Sequence, residues 1–518
     1  MNILKVGIEG CCHGELNRIY SNISKDVDLL LICGDFQAIR NSADFQALSV
    51  PKKYQRLGDF QDYYTGKRKA PVLTIFIGGN HESSSYLQEL KYGGWVAPSI
   101  YYLGDFGCVW YKGVRICGWS GIYNHGTFMR NAAAMEKIPF DRGTIRSVYH
   151  QKLPNFIKMY LMKESDREID ICLSHDWPVG IEKYGNERFL VQKKPFFKRD
   201  IAMGQLGSPL NKILLHHLKP RYWFSAHLHV RFDAVVSSDG SNSRNGKSKL
   251  KRKKVKNKNE IELDMDKLES SGSELEPKLG SGSELEPKLG SGSELEPKLG
   301  SGSELEPKLR SGSELEPKLR SGSQLEPKPG SGSQLEPKLG SGSEFGSESG
   351  SESESDLTKQ MEANKKPKLN ANTRSHQETI FLALDKCGHK RQFWKMMQIQ
   401  ASSNDNFDDE SHSKGQLVYD KRAIAINKIV DQLINSNKLN FKPREILQNP
   451  SLISENHLLM EGIEAEVEEL MKLNKDEFIV PDNFEMVAPP NAHKKLKYYP
   501  NDQTTAYCEK FNVPKVQL

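Results

Sequence analysis

Five times along the chain an apolar, strand-like run ends and residues able to ligate a metal ion follow at once. Ile3–Ile8 leads into Gly10, Cys11, Cys12 and His13, and Asp28–Cys33 leads into Gly34 and Asp35. Val72–Ile77 is followed by Gly78, Gly79, Asn80, His81 and Glu82. Ile169–Leu173 is followed by Ser174, His175 and Asp176, and Tyr222–Ala226 by His227, Leu228 and His229. Short apolar runs bounded by glycine predict strands. Side chains beyond the carboxyl ends of such strands converge over a rigid backbone, which is where ligand sites gather in α/β sheets. Five polar clusters in one relation to five strands therefore predict a single site.

Taken singly, each cluster has a plainer explanation. A Gly-Asp pair after a strand is commonly a turn, and an Asn-His pair commonly caps a helix. A lone histidine such as His175 is commonly a satisfied core or surface residue, and Cys11 alone reads as a buried thiol. Asp176, next to His175, is either an orienter of that imidazole or a turn residue. The conjunction, in order along one chain, favours the metal site.

Composition divides the 518 residues into three parts, because a hydrophobic share of 37% is too low for a chain packed throughout. Residues 1–236 alternate apolar runs with glycine turns and are expected to form an α/β, two-sheet domain. Residues 237–373 are low in complexity. A decapeptide, SGSELEPKLG, begins there at Ser271 and runs for seven full copies to Gly340. Ten residues are too few for a solenoid unit. Each copy offers at most two leucines against the entropy of ordering it, so a disordered spacer lodged in an exposed loop is expected. Thr379–Leu384 is strand-like and is expected to resume the first domain, which then covers 1–236 and 374–400. Residues 415–518 hold helical patterns at Arg422–Asn435 and His457–Leu473 and are expected to form a smaller helical domain. The eight cysteines lack framework spacing, Met1–Gly10 reads as a strand and turn rather than a leader, and no apolar run reaches the roughly 18 residues of a membrane span. An intracellular chain with reduced thiols and no membrane contact is the expectation.

The order of the boxes resembles the calcineurin-like metallophosphoesterase superfamily, whose signature runs D-x-H, G-D, G-N-H-E, a lone His, then G-H-x-H. Gly34-Asp35, Gly79-Asn80-His81-Glu82 and His175 match it, and Ala226-His227-Leu228-His229 matches with Ala for Gly. The first box departs, since Cys11 stands where most members carry a carboxylate. That thiol, with the strings GCCHGELNRIY, LLICGDFQAIRN, SHDWPVGI and YWFSAHLHVRF, is similar to the lariat debranching enzymes within that superfamily. The resemblance implies a two-sheet sandwich flanked by helices and two divalent ions. One ion would take Cys11, His13, Asp35 and His229, and the other Asp35, Asn80, His175 and His227, with Asp35 shared. It implies that His81 is a general acid and that the reaction is hydrolysis of the 2′–5′ phosphodiester at the branch of excised intron RNA, in mRNA processing and intron turnover. A soft thiolate favours Fe(II) and Zn(II), with Mn(II) able to substitute. Cys12 is given no ligand role.

The resemblance to the superfamily implies a dinuclear phosphoesterase and does not by itself identify the substrate. Asn124–His150 is rich in cations and aromatics, and by resemblance it contacts RNA through Asn124, Arg130, Lys137, Arg142, Arg146 and Tyr149. An ordinary solvated insertion is the plain alternative. Lys249–Lys258 holds seven cations in ten residues and, with Lys365-Lys366-Pro367-Lys368, reads as a nuclear import signal, with the cytoplasm as the other compartment. Rival readings are a general nuclease, a protein Ser/Thr phosphatase and a noncatalytic RNA scaffold. The phosphatase pattern G-D-x-V-D-R-G is absent after Gly34-Asp35, which continues Phe36-Gln37-Ala38-Ile39-Arg40.

Overall fold

The structure, a computed structural model, describes residues 3–130, 136–164, 167–237, 378–401 and 415–518. Apart from Ser237, the expected spacer with its decapeptides and both basic stretches lies outside the described residues. The expected two-sheet α/β sandwich is observed. One sheet contains β1 (Ile3–Glu9), β2 (Leu29–Ile32), β3 (Thr74–Phe76), β4 (Gly94–Ala97), β5 (Ile100–Tyr102) and β12 (Trp394–Gln400). The other contains β6 (Phe106–Tyr111), β7 (Val114–Trp119), β8 (Ile171–Ser174), β9 (Tyr222–Ser225), β10 (Phe232–Ser237), β11 (Glu378–Ala383) and β13 (Val418–Tyr419). Their orders are β12-β1-β2-β3-β5-β4 and β10-β11-β9-β8-β7-β6-β13. The third expected strand, Val72–Ile77, is shorter than its apolar run.

Strand periodicity explains the layering. Leu29 and Leu31 of β2 pack between the sheets with Val6, Ile8, Ile116, Leu173 and Phe224. Leu30 and Ile32 point the other way, against Leu16, Ile19, Phe60 and Tyr64 of the covering helices. Alternate residues of a strand face opposite sides, and here both sides are buried, so β2 is apolar throughout. β1, β2 and β3 are mutually parallel neighbours, as are β7, β8, β9 and β11.

The segment after the spacer enters both sheets. β11 lies between β10 and β9, with Val236 opposite Thr379 and Ile380 opposite Tyr222, and β12 runs antiparallel along β1. The helix Lys421–Asn435 then packs on the second sheet, beside Leu153–Tyr160 and His457–Met471. Asp420 caps its first turn by accepting the Ala423 N–H, and also accepts Arg115 Nε–H at 2.9 Å and Trp110 Nε1–H at 2.8 Å. Farther along, buried Asp431 meets Lys158 at 2.8 Å, Lys91 at 3.0 Å and the Tyr92 hydroxyl at 2.7 Å. Asp420 thus pins the start of this helix to the second sheet, and Asp431 pins its far end to the helix Leu153–Tyr160 and to Lys91 and Tyr92.

Candidate metal centre

All five expected clusters emerge from carboxyl ends of strands, three from the first sheet and two from the second. Their backbones turn sharply. His13, Asp35, His227 and His229 all have positive φ, at 49°, 48°, 61° and 49°. Non-glycine residues adopt this region at some energetic cost, and such strain concentrates where a site needs a side chain aimed in one direction. Close approach also explains two glycines. A Cβ on Gly34 would collide with His175 Nδ1, and one on Gly79 with Asp35 Oδ1.

The side chains form two groups that share Asp35. In the first, single donor atoms of Cys11, His13, Asp35 and His229 lie within 4.8 Å of one another. His13 Nε2 is 3.2 Å from His229 Nε2 and 3.7 Å from Asp35 Oδ2. Cys11 Sγ also accepts the His227 backbone N–H at 3.2 Å, which ties the first box to the last. In the second group, His175 Nε2 lies 3.4 Å from Asp35 Oδ1 and 3.2 Å from Asn80 Oδ1. The His175 and His227 rings stand 5.0 Å apart between centroids. The Nδ1–H of His175 donates to the Cys33 carbonyl at 2.7 Å, which leaves Nε2 facing the site.

Electrostatics suit cation binding. Burial lowers the His13 pKa to about 4 and that of His227 to about 3, and it lowers His229 as well, so these imidazoles present lone pairs at neutral pH. Burial opposes the charge on Asp35, but the surrounding histidines outweigh it and hold the carboxyl well below its ordinary range. Its Oδ2 is buried with no hydrogen-bond partner among the described residues. A buried anionic oxygen left open among imidazole nitrogens and a thiol is a donor set that fits divalent transition ions.

His81 stands at the edge of this cluster. Its backbone N–H donates to Asp35 Oδ1 at 2.8 Å, and its ring lies 5.6 Å from that of His13. Its Nδ1 has no hydrogen-bond partner among the described residues. Asp176 is not part of the ligand cluster. Its carboxylate accepts the backbone N–H groups of Tyr123 at 3.2 Å and Trp177 at 2.9 Å, anchoring the segment that follows β7. Cys12 lies in the outer core with Leu16 and Phe36.

Of the residues expected to touch RNA, Arg130, Lys137, Arg142 and Arg146 are exposed. Asn124 accepts the Thr127 N–H at 3.0 Å and so caps the helix His125–Arg130. Tyr149 is buried, its ring edge-on to His150 at 5.0 Å.

Two contributors escaped the sequence reading. The buried Glu82 carboxylate accepts backbone N–H groups from Phe36 at 2.7 Å, Gln37 at 2.8 Å and Gly79 at 2.9 Å, clasping the turns that carry Asp35 and Asn80. Burial, and then the nearby Asp35 charge, push its carboxyl up to about 8. Its place in the Gly79–Glu82 box was the available signal. The other is Lys386, which pairs as an isolated parallel bridge with Cys11 and adds its positive charge near His13 and His229. Nothing local marks Lys386, since it arrives from beyond the spacer.

Comparison with known proteins agrees with this architecture. Residues 4–231 match the calcineurin-like phosphoesterase family, and residues 376–516 match the C-terminal domain of lariat debranching enzymes. The lariat debranching enzyme of Danio rerio is 51% identical over 247 residues, covering 46% of this chain and 43% of that protein. That of Homo sapiens is 51% identical over 240 residues, covering 45% and 43% respectively. That of Schizosaccharomyces pombe is 49% identical over 234 residues, covering 45% of this chain and 50% of its own. The aligned part spans about half the length of these relatives or less. Residues 4–231 are thus similar to the calcineurin-like phosphoesterases, and residues 376–516 to the C-terminal domain of the lariat debranching enzymes.

Proposed function

We propose that the chain is a metal-dependent phosphodiesterase that hydrolyses the 2′–5′ bond at the branch of lariat introns, and so acts in mRNA processing and intron turnover. The observation that carries this reading is the shared Asp35, with one oxygen 3.7 Å from His13 Nε2 and the other 3.4 Å from His175 Nε2. Cys11, His13, Asp35 and His229 would hold one ion, and Asp35, Asn80, His175 and His227 the other. When bound, two such ions neutralise phosphate charge and acidify water. The chain's own part is positioning and proton transfer. Asp35 and the surrounding histidines would fix where the ions sit, and His81, at the edge of the cluster, would give a proton to the departing 2′-oxygen, a poor leaving group as an alkoxide. The exposed cations Arg130, Lys137, Arg142 and Arg146 supply phosphate contacts for the RNA.

The thiolate of Cys11 supports Fe(II) and Zn(II) as the working pair, with Mn(II) as a substitute, over the harder Mg(II). The cations of Lys249–Lys258 support nuclear residence. Incubation of the purified chain with a synthetic 2′–5′ branched RNA, beside a linear 3′–5′ control and with or without chelator, tests the proposal. Cleavage of the branch alone, abolished by chelator, is expected. Equal cleavage of both RNAs would make the chain a general nuclease instead.

A further inference from the structure

We propose that the excursion between residues 178 and 208 is a second RNA-contact surface, gripping single-stranded RNA as it leaves the metal centre. The inference rests on the reading of the substrate as RNA and extends it to a segment with no assigned role. The excursion starts directly after His175 and Asp176, and it closes on itself where Pro178 bridges Ser208. Ser208 N–H donates to the Trp177 carbonyl at 2.7 Å, and Val179 N–H to that of Ser208 at 3.1 Å. The two ends of the excursion therefore meet just beyond the carboxyl end of β8, the strand that also delivers His175.

Two short helices, Glu187–Lys193 and Phe197–Ala202, lie at its middle. Leu190, Phe197 and Leu206 are buried and hold the excursion to the body. Phe189 and Phe196 face solvent, and Phe196 is 63% exposed. Along the excursion lie Lys183, Arg188, Lys193, Lys194, Lys198 and Arg199, against the carboxyl groups of buried Glu182 and of Glu187 and Asp200. Arg188, Lys193, Lys198 and Arg199 form no ion pair with another described residue. Lys193 sits 5.6 Å from the Phe189 ring centroid and Lys194 5.8 Å from that of Phe196.

Aromatic faces interleaved with lysine and arginine match single-stranded RNA, which offers unpaired bases for stacking and a phosphate for each cation. A protein-binding face would be depleted in lysine at its centre. The position agrees. The Tyr123 N–H donates to Asp176 Oδ2 at 3.2 Å, and Ser208 Oγ–H donates to Gln151 Oε1 at 2.8 Å. The excursion and the cation-bearing stretch Asn124–His150 therefore rise from shared roots beside the metal centre.

Binding of a labelled linear single-stranded RNA to the full chain, followed by fluorescence anisotropy in chelator across a salt series, tests this without any turnover. Phe196→Ala should weaken binding roughly tenfold, as loss of one stacking platform does. The triple variant Arg188→Ala/Lys193→Ala/Lys198→Ala should flatten the slope of log affinity against log salt by about 2, from three lost single-strand phosphate contacts. Wild-type affinity and slope in both variants would overturn the inference and leave the patch as a protein-docking face. Branch cleavage by the wild-type chain is measured in parallel. Cleavage with unaltered RNA binding by the variants sinks this inference alone, whereas weakened binding without cleavage by wild type supports it and sinks the debranching reading.

Discussion

Replacing Glu82 asks whether the metal cradle is held from behind by a residue that touches no metal. Its two carboxylate oxygens accept the N–H groups of Phe36, Gln37 and Gly79, and the side chain is fully enclosed. In Glu82→Gln one oxygen remains to serve Phe36 and Gly79, but the new amide nitrogen faces the Gln37 N–H. One buried donor then lacks an acceptor, which costs about 1–3 kcal/mol. Glu82→Ala leaves all three donors without the carboxylate and opens a void, so its cost exceeds about 3 kcal/mol. Urea unfolding of the metal-free chain should reproduce this order, with the alanine variant the weaker. Because the clasp holds the turns bearing Asp35 and Asn80, competition with a chromophoric chelator should also show metal affinity reduced about 10–100-fold, as when other supports of ligand residues are removed. An alanine variant that unfolds at the wild-type urea concentration and retains metal as tightly would refute the reasoning.

Cys11→Asp exchanges a soft donor for a hard one, so activity should shift from Fe(II) or Zn(II) toward Mn(II), and the wild type alone should be inactivated by mild oxidation. Identical metal profiles in the two proteins would dispose of the idea. His81→Ala should lower kcat about 10²–10⁴-fold in branch cleavage while bound-metal analysis stays near wild type; loss of metal instead would make His81 a ligand. Burial raises the Asp431 carboxyl, but Lys158 and Lys91 outweigh it and hold the group below its ordinary range. A carboxylate depressed in the folded state adds stability above its unfolded pKa of about 3.9, and that stability is lost as pH falls through the folded value. Asp431→Asn should therefore cost about 3–5 kcal/mol near neutrality and make thermal stability less acid-sensitive than wild type, as read by melting curves from neutral pH downward. An equally steep acid loss in the variant would count against this ion pair.

Much of the site could be read from residue order because its determinants are local. Apolar runs such as Leu29–Ile32 specify a strand whatever their distant neighbours, and a polar residue directly after such a run is committed to the strand's carboxyl end. Asp35, His81, His175, His227 and His229 were visible for that reason. The helices His457–Met471 and Lys421–Asn435 were likewise legible from their apolar spacing.

Tertiary structure alone decided the rest. Whether Tyr149 offers a face or is buried depends on what packs over it, and no pattern within Asn124–His150 tells the two apart. The role of Glu82 depends on which backbone N–H groups would otherwise be stranded in the interior, a question that exists only after two separate turns have met. Lys386 reaches the metal cluster because β11 inserts between β9 and β10, and strand pairing across so long a stretch of chain is set by long-range hydrogen bonding rather than by any local preference. Residue identity and spacing thus determined which chemistry the chain carries, while the choice of supports, neighbours and substrate-facing surfaces awaited the packing of distant segments, since burial and hydrogen-bond satisfaction belong to the folded whole.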